Sequence, residues 1–349
     1  MAATVRKPLI RQILWPKKEP TYGAEIADAE AGLQCITFKG ERFTRKADIQ
    51  KGDQVGRGHE YDDEIRVNNG WSADCSRSQD LDSFSAAWIC AFGLGSVSTG
   101  ATGSGYRHTF KPLDIATSPQ LPSTCVAELQ SDQARYRKHL GCIVTDFDMG
   151  GGRNTWLSGS YNVQGSGKVT DGTAIVVPTL SSASPFRFSD ISVCATGASG
   201  ATDRVLYLRS FRVKHANNLL SDDGYLCAST LVNSAPVRQR LEVGNRKGAT
   251  SMEMILDLQR SSVALDTDYE AGTAWAVTLT CVGSLISGAT YNEIKFVMPV
   301  CYIDDLVHDW DGDVGVGKLT LMPHYDSGTS APFNIQVVNN IPTYLSAAA

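Results

Sequence analysis

The sequence predicts a mainly β protein, and three observations carry that reading. Apolar residues recur with period two through most of the chain beyond residue 33, the alternation of strands with one wet face. Glycine is abundant, 32 of 349 residues, and Ser and Thr gather between the apolar runs, as an all-β protein with many turns requires. One clear segment, residues 79–92, has helical spacing instead. A hydrophobic content of 42% is enough for a sizeable core, and 8% aromatics with 13 prolines argue against disorder.

Residues 1–20 read as an arm, in which Arg6, Lys7, Arg11, Lys17 and Lys18 stand against Glu19 alone, with Pro16 and Pro20. Ile10, Ile13, Leu14 and Trp15 give this arm something to bury on a neighbour. "LQCITF" (33–38) is a short strand and "EYDDEIRVNNGWSADC" (60–75) a long, polar, extended stretch. The helix follows. Ser76 with Gln79 forms a possible capping box, Leu81, Phe84, Trp88 and Phe92 make an apolar stripe for the core, and Gly93 is the stop. A Gly/Ser/Thr loop (93–105) leads to strands near 106–111, 123–129, 139–149 and 155–165. In the third of these, Ile143, Phe147 and Met149 are placed on one face, with Val144, Asp146 and Asp148 on the other. Beyond a Ser/Gly/Ala-rich stretch, strands return at 251–258, 274–283, 292–303, 314–325 and 333–339.

The two halves echo each other. Residues 136–163 match 291–325 in order: strand, acidic turn, Gly, strand; residues 59–75 match 238–257. The domain plan is therefore an arm (1–20), a first β module (21–175), a connector (176–205), a second β module (206–340) and a tail (341–349).

No enzyme is expected. "GNRKGATS" (244–251) lacks the Gly spacing and Gly-Lys-Ser/Thr of a phosphate loop, "GLGSVSTG" (93–100) follows a helix instead of a strand, and "GASG" (197–200) is followed by Ala201 where a nucleophile elbow closes on Gly. The six histidines never fall in H-x-H or H-E-x-x-H spacing. Asp309, Asp311 and Asp313 alternate like calcium ligands but lack the EF-hand order, so an acidic turn is the preferred reading and neither metal nor cofactor is expected. Nine dispersed cysteines, none in C-x-x-C spacing, read as reduced thiols; Cys142, Cys194, Cys281 and Cys301 fall in apolar strands. A net charge of −5 argues against a basic nucleic-acid surface. No window approaches 18 uncharged apolar residues, so no membrane span is expected, and the opening residues lack a signal-peptide pattern, which points to synthesis in the cytosol.

What stands out is a repeated acidic strand face: Glu60, Asp62 and Glu64; Asp146 and Asp148; Glu253 and Asp257. As an acid/base dyad Asp146 and Asp148 are poor, since they share one strand face and one environment. Solvated sheet faces and the lining of a passage through an oligomer both fit these residues.

The order of segments adds a resemblance. "TYGAEIADAE", "NNGWSADC", "LDSFSAAWICAFG", "GYRHTFKP", "LPSTCVAEL", "HLGCIVTDFDM" and "TWLSGSYNVQGSG", then "RSFRVKHANNL", "RQRLEVGNRKGATSMEMIL" and "FNIQVVN", resemble the tail-tube (major tail) proteins of siphophages, the long non-contractile-tailed bacteriophages, over roughly residues 21–340. The resemblance implies β-sandwich or barrel-like modules with a flanking helix. Such subunits close into rings whose inner strands form one barrel, and the rings stack into a virion tail tube through which the genome passes without specific binding. Tape-measure, tail-tip and tail-terminator proteins are the implied partners. With two tandem modules, three chains would give a pseudo-sixfold ring, and six chains with one decorated module each is the alternative. On this reading the acidic residues above line the lumen, and Ile13, Leu14 and Trp15 join ring to ring. A β-sandwich binding module for carbohydrate or a host surface, or another virion component, is the competing function.

Overall fold

The computed structural model describes residues 10–14, 17–26, 34–35, 39–40, 43–51, 66–114, 118, 120–130, 135–171, 179–180, 183–197, 200–220, 231–232, 235–238, 241–258 and 265–345. The first half contains β1 (Ile10–Leu14), β2 (Gln34–Cys35), β3 (Lys39–Gly40), β4 (Thr44–Lys51), β5 (Arg66–Asp80), α1 (Ser83–Leu94), β6 (Gly95–Thr102), β7 (Gly105–Pro112), β8 (Thr124–Gln130), β9 (Arg135–Gly152), β10 (Ser158–Gly165) and β11 (Val169–Asp171). The second contains β12 (Thr179–Leu180), β13 (Ile191–Gly197), β14 (Gly200–Val205), β15 (Leu208–Ala216), β16 (Leu231–Val232), β17 (Ala235–Pro236), β18 (Thr250–Asp257), α2 (Leu265–Glu270), β19 (Trp275–Ser287), β20 (Thr290–Asp311), β21 (Val314–Pro323) and β22 (Asn334–Asn339). The protein is mainly β, as the alternation predicts.

One pairing plan occurs twice. Eight strands form a continuous antiparallel run in the order β4-β5-β10-β9-β15-β18-β21-β20. Its first four and its last four strands have the same spatial arrangement: first, second, fourth and third in chain order. A second layer repeats as well, β1-β8-β9-β11 in one half and β13-β19-β20-β22 in the other. The long strands β9 and β20 serve both layers, their N-terminal parts in the second and their C-terminal parts in the eight-stranded run. A helix follows the second strand of each unit, α1 after β5 and α2 after β18. The halves share one apolar core, with Phe147, Phe211, Met254 and Phe296 in the same cluster.

Both long strands also bulge at corresponding points. The ladder slips at Thr145, between the pairs Val163–Val144 and Asn162–Asp146, and again at Asp304, between Leu321–Ile303 and Thr320–Asp305. Superposing the bulges puts Cys142 on Cys301 and Asp146 on Asp305. The extra residue reverses the inside–outside parity of the strand. Cys142 and Val144 therefore share the main core with Phe147 and Met149, whereas Ile143 packs in a separate cluster with Leu121, Leu241 and Val243. The strict alternation expected for this strand, with Val144 beside Asp146 and Ile143 beside Phe147, is corrected by that bulge.

Further expectations change. The helix starts at Ser83, not residue 79, because Asp82 caps it: Asp82 Oδ1 accepts from the Phe84 and Ser85 amides at 2.9 and 2.7 Å, and Ser85 Oγ accepts from the Asp82 amide at 2.9 Å. Ser76 and Gln79 continue β5, held extended by the β10 ladder. Gly95 ends the helix with φ 84°. All 12 residues of α1 are buried, as for any helix apolar around its circumference. Residues 95–102, expected as loop, form β6 because β7 satisfies their backbone groups, and residues 191–197 and 200–205, expected as connector, form β13 and β14.

Candidate functional site

The eight-stranded run has one apolar and one polar face. Residues directly opposite across a ladder share a face, and the registers give a row Asp80, Ser158, Gly150, Arg212, Glu253, Thr320, Asp305. The neighbouring row is Ser78, Ser160, Asp148, Lys214, Ser251. Short hydroxyl side chains dominate β5 and β10, while charge gathers on β9, β15, β18, β20 and β21.

Each predicted acidic residue within the described region has a definite environment. Asp146 accepts from Asn162 Nδ2 at 2.7 Å and Thr145 Oγ1 at 2.6 Å, and Ser76 Oγ donates to Asn162 Oδ1 at 2.5 Å. Asp148 is paired with Arg212, whose guanidinium pKa is raised, chiefly by that hydrogen bond. Glu253 is paired with Lys214. Asp257 is buried, with Arg153 at 3.8 Å. Asp146 and Asp148 are thus engaged by different partners, an amide network and a cation. Glu60, Asp62 and Glu64 lie outside the described residues.

In the β20–β21 hairpin, Asp309 pairs with Lys318 and Asp311 with Arg209, while Asp313 lies in the turn beside Gly312 (φ 65°). The Lys318 hydrogen bond holds the Asp309 carboxyl below its usual range. The three aspartates are not brought together, and among the described residues no group of three or more His, Cys, Asp or Glu could hold a metal ion. Among those residues too, no helix is long and apolar enough to cross a membrane.

The arm reaches its own chain: Ile13 and Leu14 belong to β1, opposite Ala127 and Val126 of β8. Trp15 lies outside the described residues. The thiols of Cys142, Cys281 and Cys301 are buried, and burial pushes the last two up to about 12. His215 is driven by burial to about 3 and bonds Thr250 Oγ1 at 2.8 Å, a neutral core imidazole rather than a base poised for catalysis.

Sequence reasoning missed one open cleft of about 1080 Å³, bordered by Arg153, Trp156, Arg187, Tyr207 and Thr280. The Arg187 guanidinium lies 5.1 Å from the centre of the Trp156 ring. The cleft's residues come from the β9–β10 turn, the segment entering β13 and β13 itself, the approach to β15, and β19, too far apart in sequence to show as one motif.

The described sheet thus presents a broad polar surface, on a doubled pairing plan, with Arg212, Lys214 and Lys318 each paired with a carboxylate. A family model described as phage tail tube protein matches residues 12–331. The chain belongs to that family and is a structural component of the phage tail. No curated protein matches the chain.

Proposed function

We propose that the chain assembles into rings that stack as a tail tube, with the polar sheet face lining the channel for the genome. The observation that carries this reading is the eight-stranded sheet of two four-stranded units, polar on one side and, among the described residues, open at both ends. The matching plans are those of a tandem duplication, and three chains then supply six units, the pseudo-sixfold ring. Twenty-four strands at about 4.8 Å spacing, tilted by about 40°, enclose a barrel roughly 50 Å across. That leaves room for duplex DNA after side chains are added. A ring of this kind has heterologous contacts and closes only at a fixed number of copies.

The lining chemistry is suited to passage. Arg212, Lys214 and Lys318 are each held by a carboxylate, and Ser or Gly fills much of the remaining surface. Phosphates would meet few available cations, so counterion release would contribute little to retention. Tape-measure, tail-tip and tail-terminator proteins would cap and fill the tube in the virion, and synthesis would be in the host cytoplasm. The N-terminal arm, including Ile13, Leu14 and Trp15, would bridge rings.

Negative-stain electron microscopy at rising protein concentration, with averages down the particle axis, tests the proposal. Stacked hollow rings of three two-unit chains are expected; monomers at every concentration, even with preformed tail tips added as initiators, would overturn it. The second reading, a surface-binding module, draws on the cleft beside Trp156 and Tyr207. It requires glycan binding that Trp156→Ala abolishes.

A further inference from the structure

The two ends of the eight-stranded run carry opposite charge. At one end, β20 beyond Ile303 pairs only with β21 among the described residues; Asp304 and Asp305 are exposed there, and further along Asp309 and Asp311 are held by Lys318 and Arg209. At the other, β4 pairs only with β5 among those residues; it carries Arg45, and Lys46, whose side chain is 65% exposed. These ends are seven strand spacings apart, roughly 34 Å, too far to meet within one open sheet.

The chain already contains a joint of the required kind. Its two units meet where β9 pairs with β15, antiparallel, with Asp146 opposite Ala216 and Asp148 opposite Lys214. That seam sets acids on the third strand of one unit against bases on the first strand of the next, Asp148 binding Arg212. The two ends have the same polarity: β20 is the third strand of its unit and acidic, and β4 is the first strand of its unit and basic.

The repeat also fixes the register. The bulges align Asp146 with Asp305 and Asp148 with Val307. Ser76 lies opposite Asn162 and Glu253 opposite Thr320, so those two correspond, and so do Asp74 and Ser251 two residues earlier. Opposite them stand Thr44 and Lys214, which makes Lys46 the counterpart of Ala216.

We infer that β20 of one copy pairs antiparallel with β4 of a second copy, with Asp305 opposite Lys46 and Val307 opposite Thr44. The inference rests on the ring proposal and gives it one interface. Four alternating strands per unit leave β20 parallel to β9 and β4 parallel to β15, so the new joint repeats the internal one without reversing direction. It also covers two edges that would otherwise be templates for uncontrolled pairing. In the joint Lys46 exchanges an exposed partner, Asp74 at 3.5 Å, for Asp305.

Charge exchange tests the register. Lys46→Asp and Asp305→Lys each place like charges opposite one another, and each should raise the concentration needed for ring assembly at least about threefold. The double variant should return it to near the wild-type value. Singles that assemble like wild type, or a folded double variant no better than either single, would overturn the pairing. A second measurement uses the unaltered protein. Carbodiimide treatment of rings assembled from mixed light and heavy-isotope chains should yield a Lys46–Asp305 link between copies; its absence from intact rings would also overturn the register. Rings that lack this link leave the tube proposal standing, whereas wild-type chains that never form rings defeat the tube proposal itself.

Discussion

Glu19 is buried to 1% exposure and accepts three hydrogen bonds, from the Gly141 amide at 2.7 Å, the Gly23 amide at 2.9 Å and Ser123 Oγ at 2.6 Å. Those donors and Lys168 favour the carboxylate, but burial outweighs them and raises the pKa from 4.5 to about 7. The folded chain therefore keeps a proton that the unfolded chain loses as pH rises through about 4.5. Stability from this group is full below pH 4.5 and is lost by about pH 7, a change of about 3 kcal/mol. Urea unfolding of unassembled protein at pH 5 and 8 should show that loss against a Glu19→Gln control. The control should lack this slope yet be less stable at pH 5, because an amide NH2 must face one of the three donors. In the sequence Glu19 is merely the lone acid of a basic arm. Nothing local reveals that residues 17–23 dock beside Ser123, just before β8, and Gly141, within β9, since these partners lie over a hundred residues away.

Among the elements, β9 and β20 contain both the legible and the hidden parts of the fold. Their extended character follows from the alternation of apolar and polar residues, and so does the sheet they build. The bulges do not, because a bulge is a property of two strands in register, and a single strand read alone continues its alternation through the extra residue. Deleting Thr145 would force Phe147 and Met149 out of phase with Cys142 and Val144. The expected cost is roughly 4 kcal/mol or more, whereas Thr145→Ser, which keeps the residue count, should cost under about 1 kcal/mol; denaturant midpoints of the two variants check this. The helix was visible through Leu81, Phe84, Trp88 and Phe92, yet its burial on every side was not. Ser, Ala, Cys and Gly on its other faces look neutral in sequence, but they are small enough for close packing between layers. Its true start depends on Asp82, and Asp82→Ala should lower stability by about 1 kcal/mol in the same measurement.

At the scale of the molecule, Asp146, Asp148 and Glu253 form part of a polar surface, but not a uniformly negative one. Sequence showed Asp148 and Glu253; it did not show that β15 would run between them and set Arg212 and Lys214 against both. Cross-strand partners come from segments about sixty and forty residues away, and alternation along one strand contains no record of them. The pairing changes what neutralising the carboxylates should do. If repulsion alone kept DNA from sticking, removing acids would produce a mildly less slippery bore. In this surface, Asp148→Asn with Glu253→Gln would instead release a guanidinium and an ammonium in every chain, six cations around a three-chain ring and repeated at each ring along the tube. Phosphate contacts of that number make binding steeply salt-dependent. Assembled tubes of the double variant should therefore retain duplex DNA in co-sedimentation at about 50 mM salt and release it by about 200 mM, while wild-type tubes retain little at either. Adding Arg212→Gln and Lys214→Gln to the double variant should abolish the retention. Retention that persisted without those cations, or that ignored salt, would mean that the polar face of this sheet does not meet the DNA.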